Sequence, residues 1–230
     1  MALLSDKDAK EVKKLFGDLE RDVHLRVYTR KLECPTCGDT EAILKELDGL
    51  SDRLKVTFLN SEADRDMAER DGVEMTPAVI VSDGTHSRVK FYGTPSGYEF
   101  SSLLTSIVDS GGAGEPLSDE SVEFLDSELD RDLRLRVFVT PACPHCPASA
   151  VLASRMARHS PRVKTEIIEA NEFPELSREF RVQGVPRTVV DRQFYAEGAL
   201  PESMVVQALR QGLQEDPAEE KNLMDYVQTG

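Results

Sequence analysis

No apolar run in the sequence approaches the ~18–20 residues that a membrane-crossing helix needs. Tryptophan is absent, and basic residues are scarce beside acidic ones: 28 Lys and Arg face 42 Asp and Glu, for a formal net charge of -14. The acidic surplus is present in both halves. A phosphate backbone needs a basic face, so nucleic acid is not an expected partner. The acidity reads as a solvated surface; adaptation to a salty cytosol is the sharper reading, with which the missing Trp and the excess of Arg over Lys agree. There is no Gly-rich phosphate loop and no Ser/His/Asp pattern, so no nucleotide cofactor is expected. His24, His86 and His159 fit no metal-ligand spacing and read as surface or strand-edge residues. The N-terminus MALLSDKDAKEVKKLFG has only Ala2–Leu4 as an apolar stretch, so no secretory signal is expected and the expected compartment is the cytosol.

Cysteine is also sparse, with four residues placed only as Cys34/Cys37 and Cys143/Cys146. Structural disulfides usually join distant segments. In a cytosolic chain, Cys-x-x-Cys pairs read as redox or metal sites. A tetrahedral Cys₄ zinc site is the metal alternative. It would require two folded units to bring equivalent ends together, so the redox reading is preferred and no metal is expected.

What the chain does contain is one unit written twice. Cys34 to Cys143, Cys37 to Cys146 and Pro77 to Pro186 are each 109 residues apart. Each first cysteine therefore precedes a proline by 43 residues, and each proline opens a β-type run. The pattern predicts helix 6–20 with Val12, Leu15, Phe16 and Leu19 inward, and strand 23–29. A helix should run from the first cysteines to about residue 49, with Ala42, Ile43, Leu44 and Leu47 inward. Strand 54–60, a short helix 62–70 and strands 78–82 and 87–92 about the turn Ser82-Asp83-Gly84 follow. Ser96 and Glu99 form a capping-box pattern for a helix to about 109. The second unit repeats this order: helix 118–130, strand 134–139, helix 144–159, strand 163–169, short helix 174–180, strands 187–190 and 193–197, and a last helix from Pro201. Gly111–Pro116 reads as a linker, giving units 1–112 and 117–230. The acidic tail after Gln214 reads as a frayed helix or a disordered end. The predicted class is α/β: two tandem units, each a mixed central sheet flanked by helices, in the thioredoxin order.

The pairs suit disulfide exchange. The thiolate is the nucleophile, and a helix N-terminus lowers a thiol pKa through free N–H groups and the dipole. The second cysteine lies one turn on and can resolve a mixed disulfide. Cys34 and Cys143 are thus the attacking thiols, and Cys37 and Cys146 the resolving ones. Pro35 and Pro144 are expected to hold the turn. Thr36 and His145 tune it: a protonated His145 would stabilise the reduced form, so the second site is expected to be the more oxidising. Pro77 and Pro186 are expected to follow cis bonds. The backbones of Thr76 and Val185 would then receive a client peptide as an added strand.

These residues, together with segments 91–100 and 198–202, carry a resemblance over roughly residues 6–213. The chain resembles the glutaredoxin-like protein disulfide oxidoreductases of archaea and thermophilic bacteria, which fuse two thioredoxin folds. The resemblance implies exchange with disulfide-containing client proteins, electrons from a thioredoxin-reductase-like flavoenzyme, and no cofactor beyond the cysteine pairs. Lys31 resembles the lysine that glutaredoxins keep near their thiolate. Thioredoxin's Trp before the motif is replaced by Glu33 and Ala142. Tyr28 and Val137 stand six residues before each first cysteine, where thioredoxin has a buried acid. Two alternatives remain. One is a dedicated electron donor to a peroxiredoxin or ribonucleotide reductase; the flavoprotein component of alkyl hydroperoxide reductase also doubles the thioredoxin fold, but only one of its units keeps the cysteines, whereas both do here, which favours the free-standing enzyme. The other is a disulfide isomerase or holdase.

Overall fold

The computed structural model describes residues 4–84, 87–217 and 219–227; His86 lies outside them. The first unit opens with α1 (Asp6–Phe16), capped by Ser5, whose Oγ accepts the Asp8 N–H at 3.1 Å. The helix predicted to reach residue 20 stops at Gly17, whose N–H turns back to the Lys13 and Lys14 carbonyls. Val12, Phe16 and Leu19 are buried, whereas Leu15 is exposed. Leu15 stands about 100° round the helix from Phe16, off the buried stripe.

The chain continues through β1 (Val23–Thr29), α2 (Cys37–Asp48), β2 (Leu54–Asn60), α3 (Arg65–Asp71), β3 (Ala78–Ser82), β4 (Val89–Tyr92) and α4 (Tyr98–Ser110). β1 is central: parallel to β2 and antiparallel to β3, which pairs antiparallel with β4. Leu25 and Val27 of β1 and Leu44 and Leu47 of α2 are fully buried, each contributing about 1.5–3 kcal/mol by leaving water. Ala42 and Ile43, also predicted inward, are only half-buried.

The second unit has α5 (Asp119–Glu123), which continues as a π-helical turn to Glu128, then β5 (Leu133–Val139), α6 (Cys146–His159), β6 (Val163–Glu169), α7 (Pro174–Glu179), β7 (Arg187–Val190), β8 (Phe194–Glu197) and α8 (Glu202–Gly212). β5 is parallel to β6 and antiparallel to β7, and β7 is antiparallel to β8. The mixed sheet with flanking helices is therefore present twice.

Two expectations need correction. The tail is folded: β9 (Lys221–Asn222) pairs in parallel with β8, and a 3₁₀ turn follows over Leu223–Tyr226. Leu223 is buried and Tyr226 meets Phe194 edge-on at 5.9 Å, apolar anchors that the acidic composition hides. The capping box does not form: α4 begins at Tyr98, and Glu99 is buried with neither carboxylate oxygen hydrogen-bonded. Sheet register places Phe138 as the counterpart of Tyr28. Tyr28 lies opposite Ala78 and Phe138 opposite Arg187, each one residue past its proline. Val137, six residues before Cys143, stands one place earlier in its strand because the loop before Cys143 is one residue shorter.

The compact units are residues 1–96 with 103–115, and 97–102 with 116–230. The segment 97–102 joins the second unit because it lies on the loop before Cys143. The Tyr98 N–H donates to the Pro141 carbonyl at 2.9 Å. Gly97 has φ +58, and a Cβ there would collide with the same carbonyl. Among the described residues, no helix is long and apolar enough to cross a membrane.

Candidate functional site

Each Cys-x-x-Cys pair is closed as a disulfide, with Cα–Cα distances of 5.4 Å for Cys34–Cys37 and 5.5 Å for Cys143–Cys146. Each sulfur is bonded to its neighbour within the pair. Among the described residues, no three His, Cys, Asp or Glu side chains gather as a metal-binding group.

The helices begin at the second cysteines, not at the first. α2 starts at Cys37 with Thr36 as N-cap, and α6 starts at Cys146 with His145 as N-cap. Cys34 and Cys143 occupy the preceding turn, closed by the Cys37 N–H on the Cys34 carbonyl and the Cys146 N–H on the Cys143 carbonyl, both 3.3 Å. Pro35 and Pro144 lie in these turns and not in the first helical turns. The attacking positions therefore face the helix N-terminus from outside, where its free N–H groups point.

Access differs between the pairs. Cys34 is half-buried, whereas Cys143 is only 7% exposed; both resolving cysteines are buried. His145 and Lys31 are exposed, and Thr36 is half-buried. Pro77 and Pro186 are cis, as expected from the sequence. Both prolines are buried, while Thr76 and Val185 before them are half-buried. In the second unit, Cys143 Sγ lies 3.7 Å from the Val185 carbonyl oxygen. A groove of about 500 Å³ opens beside Val185, lined among others by Thr140, Asn171, Ser177 and Gln183.

The loops before the first cysteines also differ. Residues 30–33 form the longer one, with Glu33 at φ +54 and the Arg30 guanidinium donating to the Glu33 carbonyl at 2.8 Å. Below it, Arg26 and Tyr28 of β1 converge on Asp71. Arg26 donates to both carboxylate oxygens at 2.6 and 2.9 Å, and the Tyr28 hydroxyl donates at 2.6 Å. Burial, aided by the Asp71 carboxylate, raises the pKa of Tyr28, so the phenol stays protonated.

Sequence reasoning missed Glu99 by assigning it to a helix cap. Burial pushes its carboxyl up to about 7; the Ser102 hydroxyl acts the other way, and the charge of Glu169 adds to the rise. Glu169, itself buried and raised by desolvation, ends β6, where the Ala170 N–H meets the Val139 carbonyl. Glu99 thus lies by the strand ends from which the Cys143 loop springs. The available sequence signal was an acid on the apolar face of a helix, three residues before Ser102 and four before the buried Leu103.

Residues 133–211 match the family described as Thioredoxin domain. Over 219 residues, 90% of this chain, the sequence is 25% identical to the F subunit of alkyl hydroperoxide reductase from Escherichia coli; the chain spans 40% of that relative's length. The structure is similar to a protein disulfide oxidoreductase from Aeropyrum pernix, with a TM-score of 0.83 and 24% identity, covering 91% of this chain and 94% of that one. It is also similar to the N-terminal N/C domain of alkylhydroperoxide reductase AhpF from Enterococcus faecalis, with a TM-score of 0.82 and 22% identity, covering 90% and 99%. Both units have the thioredoxin fold, each with a disulfide-capable Cys-x-x-Cys pair.

Proposed function

We propose that the chain is a protein dithiol–disulfide oxidoreductase acting at both Cys-x-x-Cys sites. The observation that carries this is the placement of two disulfides at the same point of the same fold, each closing the turn at the head of a helix. In the reduced protein, the Cys34 or Cys143 thiolate attacks one sulfur of a client disulfide. That S–S bond breaks, and the other client sulfur leaves and takes up a proton. Cys37 or Cys146 then loses its proton, attacks the mixed disulfide, closes the intramolecular disulfide and releases the second client thiol. Two electrons pass to the client; the reverse sequence oxidises it.

Thr76 with Pro77, and Val185 with Pro186, receive the client strand. Lys31 supports the charge on Cys34, while Pro35, Thr36, Pro144 and His145 set the geometry and potential of the turns. Glu99 takes and returns the proton that the buried second site exchanges, since a carboxyl near 7 suits both directions at neutral pH. The thiols carry the electrons, so no cofactor is required. A thioredoxin-reductase-like flavoenzyme restores the dithiols, and the reducing cytosol is the compartment that suits them.

The test is insulin reduction by the full chain, run with dithiothreitol and again with a thioredoxin reductase. Each pair replaced by Ser should lower the rate, and all four replaced should abolish it. A four-Ser variant as active as the native chain would overturn the proposal.

The likeness to the F subunit of alkyl hydroperoxide reductase over 90% of this chain favours a second reading, a dedicated electron donor to a peroxidase. Trapping with Cys37→Ser and Cys146→Ser separates the two: many mixed-disulfide clients support the general enzyme, and one supports the dedicated donor.

A further inference from the structure

Thr40, on the first turn of α2, is fully buried, and Thr94, just past β4, is 9% exposed. Their hydroxyls lie 3.1 Å apart. Thr40 Oγ1 donates to the Thr36 carbonyl at 3.1 Å, and Thr94 Oγ1 stands 3.5 Å from the same oxygen. The Thr40 N–H also donates to this carbonyl, at 3.1 Å. On the other side, the Gly93 N–H donates to the Pro77 carbonyl at 3.0 Å. A continuous circuit therefore runs from inside the Cys34–Cys37 turn, through two hydroxyls, to the proline loop.

The carbonyl in this circuit belongs to the Thr36–Cys37 peptide. A peptide is planar, with its C=O and N–H pointing in opposite directions. Drawing the Thr36 oxygen toward Thr40 and Thr94 aims the Cys37 N–H the other way, toward Cys34, whose carbonyl it meets in the disulfide state. When Cys34 becomes a thiolate, a donor held in that direction stabilises it. The second unit keeps the backbone half of the circuit: the Gly198 N–H donates to the Pro186 carbonyl at 2.8 Å. The residue after that glycine is Ala199, which has no hydroxyl, and Ser149 replaces Thr40.

We propose that Thr40 and Thr94 are positioning residues for the first site, forming a hydroxyl latch that fixes the Thr36–Cys37 peptide and thereby lowers the pKa of the Cys34 thiol. This rests on the oxidoreductase reading, but its test reads the thiolate itself. Failure of the native chain to reduce insulin would overturn the functional reading alone.

The experiment follows the pH dependence of Cys34 alkylation by iodoacetamide in the reduced full chain carrying Cys143→Ser and Cys146→Ser. Replacing both residues, Thr40→Val with Thr94→Val, removes the hydroxyls and keeps the shape. The Cys34 midpoint should rise by about one unit, slowing alkylation below the midpoint about tenfold. Thr40→Ser with Thr94→Ser should restore it. Thr94→Ala, which installs the residue the second unit has at that place, should shift the midpoint upward by less and guards against a misfolded double variant. In the full chain carrying Cys34→Ser and Cys37→Ser, the same Val pair should leave the Cys143 midpoint where it was. An unmoved Cys34 midpoint in the Val pair and in Thr94→Ala would overturn the proposal, as would an equal shift at Cys143.

Discussion

In the first unit, the strand leading to the disulfide carries Arg26 and Tyr28, both bonded to Asp71 at the end of α3. In the second, the corresponding positions carry Arg136, Phe138 and Phe180. Phe138 and Phe180 have ring centroids 5.5 Å apart, the Arg136 guanidinium lies 4.9 Å from the Phe180 centroid, and Arg192 lies 4.6 Å from it. One floor is a charged, hydrogen-bonded cluster and the other an aromatic pair flanked by cations. Above them, the first disulfide is half-open and tied to its proline loop through threonines, whereas the second is buried and touches its loop directly through Cys143 Sγ. The same backbone thus supports two sites with different access and different chemistry beneath them. The difference also extends to the strand after each cis proline. Arg187, at the place of Ala78, is buried, and holds Glu197 and Glu220 at 2.9 Å each while stacking 3.9 Å from Tyr195.

Four experiments would break or sharpen this contrast. Phe180→Ala should have the largest effect, costing about 4 kcal/mol of stability in urea unfolding by leaving a cavity under β5 and two unstacked arginines. Its counterpart Asp71→Ala should cost less, about 3 kcal/mol, by taking the carboxylate from Arg26 and Tyr28 on a mostly buried face. Equal costs would mean that the two floors are energetically interchangeable.

Glu99 gives a pH signature comparable to the Asp71 effect or a little smaller. Its folded pKa, about 7, lies above the ordinary 4.5. The neutral carboxyl therefore favours folding below pH 4.5, and that advantage is lost as pH rises through 7. Glu99→Gln should flatten the stability profile between pH 4.5 and 7 and leave the variant about 2–3 kcal/mol more stable than the native chain at pH 8. The same substitution should slow turnover at the second site and not at the first. A profile that keeps its slope would remove Glu99 from the account.

The smallest effect concerns His145. Exchanging the second site's His145 for the first site's residue, His145→Thr, should lower the second site's reduction potential by about 30 mV, a tenfold change in the equilibrium with glutathione. The first site serves as the internal reference. A potential that stays constant would place the difference between the sites in burial and the floor residues instead.

Most of the fold was legible in the sequence. Strands 23–29, 54–60, 78–82, 163–169 and 187–190 agree with the structure residue for residue. Each combines β-branched and apolar residues with a clear break on either side, so local chemistry decides it. The doubling, the cysteine pairs and the two proline positions were likewise fixed by spacing, because equal offsets in one chain leave little freedom for inequivalent folds. Helix ends were less legible. α2 and α6 start three residues after the first cysteines because a single turn closed on the carbonyls of Cys34 and Cys143 precedes each helix.

Tertiary structure alone decided what a residue meets across the fold. Glu99 has the spacing of a cap, and packing makes it a buried acid with neither carboxylate oxygen hydrogen-bonded. The acidic tail lacks a periodic pattern, and Leu223, Tyr226 and Glu220 become anchors only because Phe194 and Arg187 wait on β8 and β7. Local sequence sets backbone preference within a few residues. The partners that set a side chain's charge, access and hydrogen bonds lie tens of residues away and are brought close only by the packing of the sheet.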